Sequence, residues 1–171
     1  MVEVVGQPIG LGIDLDRFTP EAPDPDEEVR LRQKYGLDPN LPVVLHVRKA
    51  HDPMLNTLKR FRLPGGFCHA FNGSLVQAGR YLELGFRLGF GGMLTYERSS
   101  KLRALARQLP AEAIVLETDA PDMVVSRHRG ERNSPEYLPQ VLASLAEVRG
   151  ETLGDLAART LANTRDVLDL S

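Results

Sequence analysis

The chain has 171 residues, 42% of them hydrophobic and 26% charged, which is one domain's worth of sequence with enough apolar mass for a core. With 21 Lys+Arg against 23 Asp+Glu the formal net charge is −2, so no global positive field gathers nucleic acid or anionic membrane, and any anionic partner is recruited locally. One cysteine, Cys68, excludes an internal disulfide framework and a cysteine-cluster metal site, and no stretch approaches the ~18 consecutive apolar residues of a membrane helix. The opening Met1-Val2-Glu3-Val4-Val5 lacks the pattern of a signal peptide, so the expectation is a cytoplasmic protein with no membrane partner.

Taken in chain order, residues 9–13 have the pattern of a strand, and an acidic, proline-rich loop over residues 19–26 follows. Asp24-Pro25 with Glu27 then begins a helix closed by Gly36. Leu41-Pro42-Val43-Val44-Leu45 is the first of three short apolar runs that lack polar alternation; the others are Gly66-Phe67-Cys68 and Ala113-Ile114-Val115-Leu116. Such runs suit strands buried on both faces. Asp52 before Pro53 predicts a helix N-cap, with Leu55 and Leu58 on one face. Ser74 with Gln77 predicts a capping box, and that helix runs through Leu75, Tyr81 and Leu82 to Gly85. Phe86-Arg87-Leu88-Gly89-Phe90 reads as a strand. Ser99 or Ser100 starts a helix with Leu102, Leu105, Ala106 and Leu109 on one face; Ser134-Pro135 opens another, striped by Leu138, Val141, Leu142 and Leu145. Thr152 and Asp155 cap a last helix carrying Leu156 and Leu161.

Buried strands alternating with helices predict an α/β fold with a parallel sheet, in one domain over residues 1–171. A (β/α)₈ barrel allots about 31 residues to each strand–helix unit, so this length supplies about 5.5 units. The choice is between a smaller α/β sheet and an incomplete barrel.

Side chains able to bind metal follow the apolar runs. His46 closes the first, His69 the second, and Asp119 comes just after the third. In parallel α/β architectures the carboxyl ends of the strands share one rim, so residues far apart in sequence meet there. Two neutral imidazoles and a carboxylate are ordinary ligands for zinc, manganese or a related divalent ion. Each histidine taken alone is equally an ordinary hydrogen-bonded strand-end residue. Arg48 is a candidate for contacting substrate or for bridging carboxylates, and His51 for touching a phosphate at a helix amino terminus or for sitting exposed near a cap. Arg127, His128, Arg129 and Arg132 form a basic stretch diluted by Glu131 and Asp122. Gly89, Gly91 and Gly92 let backbone crowd a strand end, Cys68 reads as inert packing, and Glu117 as a group supporting its neighbours.

The segment from Leu41 to Ala50 resembles the "LPVxxHxRxA" segment of the TatD family of metal-dependent deoxyribonucleases. His69-Ala70-Phe71-Asn72-Gly73-Ser74 resembles its "HxFxGS", and Leu116-Glu117-Thr118-Asp119-Ala120-Pro121 its "LETDAP". Arg132-Asn133-Ser134-Pro135 is similar to its "RNxP", and Thr160 with Asn163 to a late "TxxN" pair. The resemblance implies a TIM-barrel phosphodiesterase acting on DNA, with two divalent cations (Mg, Mn or Zn) on its strand rim. His46 and His69 would be ligands of one metal. Asp119 would be a ligand of the other and the catalytic group that orients or deprotonates water.

The family's first-strand HxH pair has no counterpart, since no histidine precedes His46. Its bridging glutamate from "GEIGLD" falls on Gly10 or, in the other alignment, Leu11. The chain thus resembles the last five strand–helix units of the barrel, a partial TIM barrel with its first units missing and with open edges available for self-association. Two further readings stand beside an active hydrolase: a catalytically impaired remnant that binds metal weakly and folds by association, and a smaller α/β domain of another chemistry.

Overall fold

The computed structural model describes residues 2–3, 29–30, 33–34 and 40–170. A five-stranded sheet runs in the order β1 (Val2–Glu3), β2 (Val43–His46), β3 (Gly66–His69), β4 (Phe86–Phe90) and β5 (Ile114–Leu116). Strands β2 to β5 are parallel, each paired with the next in sequence. A helix returns the chain after each of them: α1 (His51–Leu58), α2 (Leu75–Glu83), α3 (Ser100–Gln108), then α4 (Leu138–Arg149) with α5 (Leu153–Leu168). Strands whose spatial order repeats their chain order, each followed by a helix, make the wall of a (β/α) barrel. The α/β class and the partial barrel therefore hold. Four parallel strands are described; the strand expected at residues 9–13 lies outside the described residues, as does most of the helix expected from Asp24, of which residues 29–30 and 33–34 are helical. Strand β1 was not expected, and it runs antiparallel to β2, pairing Val2 with Leu45 and Glu3 with Val44.

Register explains how the sheet divides its labour. Leu45 pairs with Cys68, Cys68 with Leu88, and Leu88 with Ile114, so one row crosses four strands. All four side chains in it are fully buried. Because side chains alternate faces along a strand, the next row, His46 with His69 and Gly89 with Val115, belongs to the other face. The core row stops where the polar rim begins.

Local signals set most helix starts. Ser74 Oγ accepts from Gln77 N while Gln77 Oε1 accepts from Ser74 N, completing the box at the head of α2. Gly85, with φ of 81°, ends that helix in the left-handed region. Thr152 caps α5 by accepting from Asp155 N. Asp52 departs from expectation: α1 begins at His51 with Ala50 as its unbonded N-cap, and the Asp52 carboxylate instead takes Arg80 at 2.9 Å and Gln77 at 3.0 Å on α2. A cross-helix guanidinium outcompetes the cap. Ser134-Pro135 opens a short 3-10 turn, Pro135–Tyr137, which leads into α4. On α5 the inward positions are Leu156, Thr160 and Asn163, and Leu161 is exposed. Leu75 on α2 is likewise exposed.

Candidate metal centre at the strand rim

His46 and His69 end adjacent parallel strands as register partners, and their rings lie 4.4 Å apart between centroids. Asp119 follows β5 at the same rim and hydrogen-bonds His69 Nε2. The three residues singled out in the sequence therefore meet. Glu117 reaches in beside them: Oε2 accepts from His69 Nδ1 at 2.8 Å, and Oε1 accepts from the backbone N of Ala70 at 2.6 Å. Room for this carboxylate exists because residue 89 is glycine. A Cβ there would fall 2.0 Å from Glu117 Oε2. The crowding read from the glycines is thus caused by a side chain, Glu117, and at Gly92 by the backbone oxygen of Met123. Ala70 holds φ of 46°, a left-handed turn that brings its N–H to Glu117 directly after His69.

Two carboxylates around one imidazole fix its charge. The hydrogen bond to Glu117 raises the His69 pKa most, with the charges of Glu117 and Asp119 adding to it and burial opposing, and the result is about 9. Without a cation His69 is therefore an imidazolium at neutral pH, donating to both carboxylates. Burial and the nearby Glu117 charge push the Cys68 thiol up to about 12, consistent with inert packing.

The donor chemistry fits a divalent cation: imidazole nitrogen and carboxylate oxygen are what zinc, manganese and magnesium sites draw on. Glu117 holds Nδ1–H, which leaves Nε2 as the nitrogen available to a cation and supplies the partner that ligating histidines normally have behind them. The convergence is incomplete. Among the described residues no group of three or more His, Cys, Asp or Glu side chains forms a metal-holding cluster, so the assembled donors are His69 with Asp119, and the His46 ring lies beside them, tilted by 39° to that of His69.

A cavity of about 590 Å³ opens from this rim and takes in Glu117, Asp119 and Asn72 together with the cationic Arg98 and Lys101. Arg98 lies 5.2 Å from the centroid of the Tyr96 ring. Arg48 is exposed on the β2–α1 turn and does not line this cavity. His51 is neither an exposed cap residue nor a cavity residue: it is buried, and its nitrogens face Tyr81 and Asn72. In the basic stretch, His128 stacks on Tyr137 at 4.0 Å and pairs with Glu131, while Arg127, Arg129 and Arg132 are exposed. Asn133 ties the loop after β5, donating from Nδ2 to Asp122 O at 2.7 Å. Asn72 was missed by sequence reasoning because it fills an unspecified position of its motif. Only its pairing with His51, 21 residues away, marks it.

The model of the family described as TatD related DNase matches residues 8–169. A relative in Escherichia coli K12, described as the uncharacterized metal-dependent hydrolase YjjV, is 44% identical over 140 residues, covering 81% of this chain and 52% of the relative. The 3'-5' ssDNA/RNA exonuclease TatD of Klebsiella pneumoniae is 38% identical over 170 residues, covering 93% of this chain and 63% of that protein. The crystal structure of YjjV, the E. coli K12 TatD homologue, superposes with a TM-score of 0.72 at 41% identity, over 85% of this chain and 55% of that one. The chain thus spans between about half and two thirds of the length of these relatives. With the motifs in family order, the rim geometry and these matches agreeing, the chain belongs to the TatD family.

Proposed function

We propose that the chain carries part of a metal-dependent hydrolase centre that cleaves phosphodiester bonds in single-stranded DNA. The observation that carries this reading is the His69 imidazole held between Glu117 and Asp119 beside His46, on a rim opening into a cavity that also holds Arg98 and Lys101. The relatives described as a metal-dependent hydrolase and as an ssDNA/RNA exonuclease support the same chemistry.

In this reading the contact of Asp119 with His69 Nε2 would put His46, His69 and Asp119 around one divalent cation of the Mg, Mn or Zn class, where the family resemblance divides them between two. Such a cation acidifies water and stabilises charge on phosphoryl oxygens. The chain's own groups do the rest. Glu117 fixes the His69 ring and keeps the proton on Nδ1. Asp119 orients the attacking water and accepts its proton. Arg98 and Lys101 offset the charge of the entering strand. His51 acts from behind the cavity wall, through Asn72.

The test is hydrolysis of a single-stranded oligonucleotide by the full chain after chelation and re-addition of Mg, Mn or Zn. Asp119→Asn and the double variant His46→Ala/His69→Ala should each lower cleavage by about 100-fold or more, since even changes to groups behind the ligands cost 10–100-fold. Cleavage that persists in both variants overturns the assignment. Metal binding without cleavage by the wild type shifts the conclusion to a non-catalytic, metal-binding TatD-like chain.

A further inference from the structure

His51 is 7% exposed and packs edge-on against Phe71 and Tyr81, with both ring nitrogens engaged. Nδ1 lies 3.2 Å from the Tyr81 hydroxyl, and Nε2 lies 3.1 Å from Asn72 Oδ1. A carboxamide oxygen only accepts, so Nε2 carries the hydrogen and donates to it. Nδ1 is then left with its lone pair, to which the hydroxyl of the fully buried Tyr81 donates. The two bonds hold the ring in one tautomer and hold the Asn72 amide in one orientation.

Asn72 itself is exposed and lines the cavity. With Oδ1 taken by His51, what it offers there is its NH₂ group, two donors that meet no acceptor among the described residues. The same cavity holds Arg98 and Lys101. A donor-only group in company with two cations suits an anionic acceptor, and its fixed orientation lowers the entropy lost on binding.

We propose that Asn72, positioned by the buried Tyr81–His51 pair, donates from Nδ2 to a backbone phosphate oxygen of a single-stranded polynucleotide lying in this cavity. The assignment rests on the nuclease reading above and names one residue through which that substrate is held. His51 is a positioning residue; Asn72 is the group that touches the strand.

The experiment is fluorescence-anisotropy binding of oligo(dT) and oligo(dA) to the full chain at one fixed salt concentration, in EDTA so that no strand is cut. Asn72→Ala, a change at an exposed residue that also frees His51 Nε2, should weaken both oligomers about tenfold, the size of one hydrogen bond to a charged oxygen. Asn72→Asp should weaken them at least as much, although its carboxylate still accepts from His51 Nε2. A purely structural role for Asn72 would survive that substitution. Nitrogen-15 NMR should find His51 as the Nε2–H tautomer, and the Asn72 side-chain amide signals should shift when oligonucleotide is added.

Undiminished binding by Asn72→Ala overturns the proposal, including the case in which Asn72→Asp alone is weak. A loss confined to oligo(dT) overturns the phosphate assignment in favour of a base carbonyl, because phosphate contacts weaken binding alike for all sequences. An Nδ1–H tautomer for His51 overturns the relay. Binding of neither oligomer by the wild type in EDTA overturns the proposal alone, because the nuclease reading stands or falls on metal-dependent cleavage, measured separately.

Discussion

At His69 one imidazole serves two carboxylates, and its pH behaviour follows. Its pKa in the folded chain, about 9, lies above the ordinary 6.5, so folding favours the protonated form. The stabilisation is fully present below about pH 6.5 and is lost as pH rises through about 9. Glu117 is the largest cause of the rise, so Glu117→Gln should bring the titration of His69, followed by NMR in chelated protein, back toward 6.5. It should also flatten the fall in urea midpoint expected of the chelated wild type between neutral and alkaline pH. Because Glu117 stands behind a proposed ligand, the same variant should weaken divalent-cation affinity by about 10–100-fold, measured calorimetrically. A His69 titration that does not move in Glu117→Gln would contradict the assigned cause.

At the scale of elements, α5 packs through polar side chains as well as through a leucine. Thr160 and Asn163 face inward with Leu156, and Asn163 Nδ2 donates to Ala111 O at 2.8 Å and to Ile114 O at 2.7 Å, clamping the helix to the start of β5. Asn163→Ala should destabilise the chain by about 2 kcal/mol in urea unfolding, because it removes two buried hydrogen bonds at once. A change below about 0.5 kcal/mol would show that the clamp carries no weight. This inward asparagine is visible in the sequence only as part of a motif, and of the two leucines named for the helix Leu156 is buried while Leu161 is exposed. The strands were legible because continuous apolar runs have few alternatives, and the start of α2 because both partners of its capping box lie three residues apart. The start of α1 was not, because Arg80, which draws Asp52 away from capping, lies 28 residues on. His51 escaped for the same reason: its burial depends on Tyr81, 30 residues away. Local signals are readable where partners are local.

Across the whole molecule, four parallel strands hold the rim, and among the described residues the edges of the sheet carry little further pairing. The outer side of β2 takes two residues of β1, and β5 takes no further strand among the described residues. Unpaired strand edges favour association, so sedimentation velocity should show concentration-dependent self-association of this chain; a single monomeric species across the concentration range would contradict it. No helix among the described residues is long and apolar enough to cross a membrane. The length arithmetic leaves a smaller α/β sheet and an incomplete barrel both open, and the family resemblance chooses between them; the placement of His46, His69 and Asp119 after apolar runs points to one rim. None of these could show Glu117 and Asp119 gripping the same imidazole, since that contact depends on the absence of a side chain at Gly89.

The most direct measurement is calorimetric titration of Mn²⁺ or Zn²⁺ into the chelated chain near pH 7.5, repeated in two buffers of different ionisation enthalpy so that released protons are counted. If His69 and Asp119 bind a common cation, His69 gives up its extra proton, and about one proton leaves per cation bound. That binding should fail in His69→Ala and in Asp119→Asn. Binding of equal strength in either variant would contradict a shared cation at His69 and Asp119, and binding with no proton released would contradict the raised His69 pKa.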